Sequence, residues 1–139
     1  MFRLTLIFIT ISLIGCGSPI SKPDLNQLNG YWEIVSVEFA DGQKKNYTVN
    51  PSIDYIELKE MKGFKKKMHP KFDGTYDTSN DLEAFSIIQK EGIFLISYQN
   101  NLSSWEEQLI KLEENTFTIV NEDNVTYSYK RYEPINIQE

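Results

Sequence analysis

Cysteine and histidine are nearly absent from the chain: Cys16 and His69 are the sole examples among 139 residues. A single cysteine cannot close an internal disulfide, so neither a disulfide framework nor a paired-cysteine metal site is available. His69 lies in Lys65-Lys66-Lys67-Met68-His69-Pro70-Lys71, and cations are poor company for a metal ion even with the thioethers of Met61 and Met68 nearby. No Gly-X-Ser-X-Gly nucleophile elbow occurs. The carboxylate doublets Glu106-Glu107 and Glu113-Glu114 point to opposite faces if they lie on strands, and are solvated charges if they lie in turns. The residues assemble no catalytic constellation, so the expectation is no enzyme, no metal and no cofactor. Repeats of solenoid period and low-complexity tracts are also missing. Basic residues are outnumbered 14 to 20, for a net charge of -6, which disfavours nucleic acid as a partner.

What is present begins at the N-terminus. Arg3, the apolar stretch Leu4–Ile14 and small Gly15 have the parts of a secretory signal, and the stretch is too short to span a bilayer. Leu13-Ile14-Gly15-Cys16 resembles the lipobox of bacterial lipoproteins. That resemblance implies removal of residues 1–15, a diacylglycerol on the Cys16 thiol and an acylated, commonly palmitoylated, new amino group. A membrane anchor of this kind gains about 0.8 kcal/mol per buried methylene. A plain signal peptide ending by chance in cysteine is the alternative. Gly17 stands where an aspartate would retain a lipoprotein at the inner membrane, so the resemblance favours the outer membrane within the cell envelope. Residues 16–28, with Gly, Ser, two prolines and no periodicity, are expected to be a lipidated tether, and 29–139 one domain.

That domain is expected to be all-β. Aromatics make up 13% of the chain, and short β-rich runs alternate with turn signals at Tyr31–Phe39, Ile53–Leu58, Lys71–Tyr76, Phe85–Gln89, Ile93–Tyr98, Glu106–Leu112, Thr116–Asn121 and Thr126–Tyr132. The turns Lys90-Glu91-Gly92, Glu113-Glu114-Asn115 and Glu122-Asp123-Asn124 suit antiparallel hairpins. No run carries a helical stripe, and Asn80–Glu83 is one helical turn at most. Eight strands in simple succession predict an antiparallel up-and-down barrel, since closure removes sheet edges, with a two-sheet sandwich as the other arrangement. In the first strand Trp32 and Ile34 share a face with Ser36 and Glu38, while Val35, Val37 and Phe39 fall opposite. A regular strand cannot bury both sets, which predicts a bulge or bend near Ser36. In the last strand Val125, Tyr127, Tyr129 and Arg131 share one face.

Gly30-Tyr31-Trp32 at the start of the first strand, with Arg131 at the end of the last, resembles the lipocalin-like (calycin) superfamily. Its Gly-X-Trp motif opens the barrel, and its tryptophan is covered by an arginine from the closing strand. The wider texture of Asn29–Trp32, Pro70–Tyr76 and Thr126–Arg131 resembles the lipocalin-like lipoproteins of Bacteroidetes-type bacteria. The Thr-Asp-Tyr motif of many secreted lipocalins is missing, so the receptor-binding role of those proteins is not carried over by the resemblance and the ligand stays unassigned. The resemblance implies an eight-stranded barrel with Trp32 and Arg131 as the barrel-closing pair. The function it implies is non-catalytic binding of a small hydrophobic ligand, lined by Tyr76, Phe85, Phe94, Ile96, Tyr127 and Tyr129 and oriented by the arginine and tyrosines, in a monomer. The alternative is a solidly packed barrel acting as a protein-binding, inhibitor or accessory module, which an exposed Trp105 would favour. Six of the 14 basic residues fall at Lys59, Lys62, Lys65, Lys66, Lys67 and Lys71. They suit either a rim touching anionic head groups or a solvated hairpin partnered by Glu57 and Glu60.

Overall fold

A short 3-10 helix, Pro23–Leu28, leads into nine strands: β1 Gly30–Glu38, β2 Lys44–Asn46, β3 Ile53–Lys59, β4 Lys62–Pro70, β5 Tyr76–Lys90, β6 Ile93–Gln99, β7 Ser104–Leu112, β8 Thr116–Asn121 and β9 Thr126–Arg131. The computed structural model describes residues 18–134; the expected signal peptide 1–15 and the lipid-bearing Cys16 lie outside the described residues. From β3 to β9 each strand pairs with the next, and β1 pairs antiparallel with both β3 and β9. β1 and β3–β9 therefore close into an eight-stranded antiparallel up-and-down barrel. β2 is a short flank bonded only to Ser36–Glu38 of β1.

The eight strands of the barrel agree in number with the sequence reading, but one member differs, and β2 is additional. Lys71–Tyr76 is mostly a turn: Asp73 Oδ1 accepts bonds from the Thr75 N–H and hydroxyl at 2.9 and 2.6 Å, and Gly74 takes φ +82°. The lysine-rich run Lys62–Pro70 supplies the missing strand. Its ladder is bonded on both sides, to β3 and to β5, and that tertiary pairing overrides a poor local pattern. Asn80–Glu83 belongs to β5 rather than to a helical turn. The bend expected near Ser36 is a β-bulge at Val35, because Ile34 faces Tyr129 while Ser36 faces Ser128.

One end of the barrel is sealed. The turns Glu60-Met61, Glu91-Gly92 and 113–115 gather there with the 3-10 helix. Leu25 and Leu28 pack with Trp32, Leu58, Ile87, Phe94, Leu109 and Phe117 in one continuous apolar cluster. Pro23–Leu28, expected to fall within the tether 16–28, is instead the floor of the domain; two leucines three apart on a single turn reach the same core. The other end carries the loops 39–43, 47–52, 100–103 and 122–125.

Candidate functional site

The floor explains the Gly-X-Trp spacing in physical terms. Trp32 is fully buried and donates its indole N–H to the Leu28 carbonyl at 2.8 Å. The Arg131 guanidinium lies over the indole, its Cζ 3.9 Å from the ring centre, and donates to the carbonyls of Gln27, Asn29 and Glu114. Gly30 adopts φ +119°, and a Cβ there would stand 2.7 Å from Arg131 Nη1. Glycine is needed both for that backbone conformation and for room. All three edges of the guanidinium are thus committed to the floor, so Arg131 is not available to orient a ligand.

The six expected ligand-lining residues divide into three groups. Phe85, Phe94 and Ile96 are sealed within the apolar cluster. Tyr127 and Tyr129 are half-buried above it, and Tyr129 stacks on Phe117 with ring centres 4.5 Å apart. Phe117 in turn stands edge-on to Trp32 at 4.7 Å, so an aromatic column rises from floor to mid-barrel. Tyr76 is not inside the barrel: it packs against the outer wall on Tyr31, ring centres 5.1 Å apart. It starts the long β5, whose first residues pair with the distal end of β4 rather than along the barrel.

Above the apolar cluster the interior changes character. Register places Asp54 of β3, Lys65 and Lys67 of β4, Glu83 of β5, Tyr98 of β6 and Trp105 and Glu107 of β7 on the inward face. Lys67 Nζ meets the buried Asp54 at 2.8 Å and Lys65 Nζ meets Glu83 at 3.4 Å. The Lys65 ammonium also lies 5.0 Å from the centre of the Tyr98 ring, and Trp105 stacks flat on Tyr98, ring centres 5.1 Å apart. Glu107 Oε2 is buried with no hydrogen-bond partner. Burial pushes the Glu107 carboxyl above its ordinary value, opposed by the Lys65 charge and the Tyr98 hydroxyl. Burial, then the neighbouring carboxylates, pushes the Tyr98 and Tyr129 hydroxyls far upward. Both phenols are therefore neutral hydrogen-bonding groups at physiological pH.

This mouth cluster was not legible as a site. Its signal is alternation: in a strand Lys65 and Lys67 share a face, and Glu83 shares one with Phe85. The lysines do not all sit at a rim, and the partners of Lys65, Lys67 and Lys71 are Glu83, Asp54 and Asp77 rather than Glu57 and Glu60. Trp105 is half-buried and stacked, not an exposed anchor. Among the described residues no group of three His, Cys, Asp or Glu side chains is placed to hold a metal ion.

No family model matches the chain, and no curated protein matches it. Among solved structures, a lipocalin-like protein from Bacteroides uniformis is similar over 76% of this chain and 99% of its own, at 12% identity and a TM-score of 0.49. Apocrustacyanin C1 is similar over 84% of this chain and 67% of its own, at 11% identity and a TM-score of 0.49. The lipocalin-like barrel rests on its own geometry: the strand succession, the β1–β9 closure and the indole beneath the guanidinium.

Proposed function

We propose that this protein is a monomeric, lipid-anchored protein of the bacterial cell envelope, held by Cys16 to the outer membrane, that binds a small molecule at the mouth end of its barrel without altering it. The carrying observation is the mouth cluster. A stacked Trp105–Tyr98 pair offers a flat apolar wall, and beside it stands a carboxylate oxygen with no partner. Sites for small molecules combine an apolar body with a few convergent polar groups, and an unpartnered buried acceptor costs about 1 to 3 kcal/mol until a donor reaches it. The ligand this favours is amphiphilic: a flat apolar portion against the indole and a polar end toward Glu107 and Lys65. A purely hydrophobic ligand filling the lower barrel has no support, because that half is occupied by its own side chains.

The test is fluorescence of the Trp105 indole during titration with anilinonaphthalene sulfonate, an amphiphilic probe, with W105F isolating the buried Trp32 signal. Saturable quenching lost in W105F supports the site. A linear, non-saturating response in both proteins overturns it. Native mass spectrometry of protein taken from its own host adds the identity of any retained molecule. A C16A variant found in the soluble fraction rather than with membranes supports the anchor, and unchanged membrane association removes it.

A further inference from the structure

The β4–β5 hairpin is longer than the barrel needs, and its far end folds outward. Lys66 faces Leu82 but Met68 faces Thr78, so three residues, Ser79–Asp81, oppose Lys67 alone. A bulge of this size bends a ribbon sharply. The tip is returned against the outside of β1, where the Tyr76 ring lies on Tyr31 and stands nearly perpendicular, at 70°, to Tyr132, ring centres 6.4 Å apart. Between the tip, the wall and loop residues 48–51 lies a groove of about 360 Å³ on the outside of the barrel.

The groove has a specific chemistry. Tyr76 and Tyr132 form two walls of a corner, and Phe72 on the tip, 95% exposed, stands at its lip with nothing packed on it. Glu33 and Glu133 also line it. Lys71 lines it as well, but its ammonium is held by Asp77 at 2.7 Å, and the adjacent Lys130 is held by Glu33 at 2.8 Å. Glu33 is consumed in that pair, which leaves Glu133 as the lining carboxylate outside an ion pair among the described residues, so an anion is disfavoured and a neutral apolar ligand gains nothing from the acid. A diffuse cation that needs no hydrogen-bond acceptor is attracted by both ring faces and carboxylates. We propose that this outer groove is a second binding site, for a methylated ammonium group, boxed by Tyr76, Tyr132 and Phe72 with Glu133 supplying negative charge. It is independent of the mouth cluster, and either site can fail without the other.

The experiment is an NMR titration of the full chain with choline chloride, against its uncharged carbon analogue in which a tert-butyl group replaces trimethylammonium. Choline is expected to shift the ring resonances of Phe72, Tyr76 and Tyr132 saturably, and the analogue to bind roughly five- to thirty-fold more weakly. F72L, at a position too exposed to affect folding, is expected to weaken choline severalfold while the strand resonances stay in place. Equal affinity for the two compounds, or the absence of saturable shifts with choline, overturns the proposal, as does choline affinity unchanged in F72L.

Discussion

Replacing Arg131 with methionine tests how the barrel floor is held. The substitution keeps the stem that covers the indole and deletes the charge, the donor to Glu114, and the two donors that reach Asn29 and Gln27 at the end of the 3-10 helix. A hydrogen bond to a charged group contributes about 1.5 to 3 kcal/mol in mutational series, and cation–π contact about 0.5 to 2 kcal/mol. These contributions share one side chain and do not add, and the guanidinium is half-exposed, so water replaces part of what is lost. The expected cost is about 3 kcal/mol, which for a domain of this size lowers Tm by roughly 10 to 15 °C. R131K keeps the charge without the planar fork and is expected to lose about half as much. Urea denaturation followed by Trp fluorescence and by circular dichroism gives the free energy directly, with the m-value reporting whether the folded state is unchanged. A loss below about 1 kcal/mol in R131M, with an unaltered m-value, refutes the view that this contact secures the floor.

Two further substitutions probe the interior. The Glu107 carboxyl is held above its ordinary value of 4.5 by burial. The folded barrel therefore binds its proton more tightly than the unfolded chain, so this group favours folding most below about pH 4.5 and progressively less as pH rises through its folded value. E107Q is expected to raise stability at pH 7 by about 1 kcal/mol and to remove that decline, read from thermal melts across pH 4 to 8; an identical pH profile in both proteins contradicts the assignment. At Gly63 an added Cβ would lie 2.1 Å from the Glu57 carbonyl oxygen, a backbone atom that cannot step aside without breaking the β3–β4 ladder. G63A is expected to cost about 4 kcal/mol or more in chemical denaturation, and near-neutrality would show that the two strands are not so closely apposed.

The parts of the fold legible in sequence are those where local pattern and tertiary burial agree. β8 alternates Phe117 and Ile119 inward with threonines outward, and its bounds are those the letters suggest. The Val35 bulge is legible because Trp32 and Val37 cannot both be buried on a regular strand, and both are buried. β4 is illegible for the opposite reason: Lys65 and Lys67 turn inward and Phe64 and Met68 outward, so hydrophobicity points the wrong way, and the strand is held by its two neighbours. Phe72 and Tyr76 lend the Asp73-Gly74 turn a β-like composition, yet both rings serve the outer groove. The mouth cluster draws one or two residues from each of five strands. Only the register of the closed sheet makes them neighbours, and no spacing along the chain encodes that. Trp32 and Arg131 are discernible because a short motif marks one and the last of the described strands marks the other.

The contacts from Arg131 to Gln27 and Asn29 link positions more than 100 residues apart. A chain that folds from its N-terminus onward cannot complete its base until nearly the last described strand is available, and every shorter fragment has two unpaired flanks, on β1 and on its last strand. Loop-closure entropy on this scale places the locking event late in folding. The latch therefore acts as a check on completeness: a polypeptide truncated before position 131 lacks the group that fastens its opening segment and stays pliable.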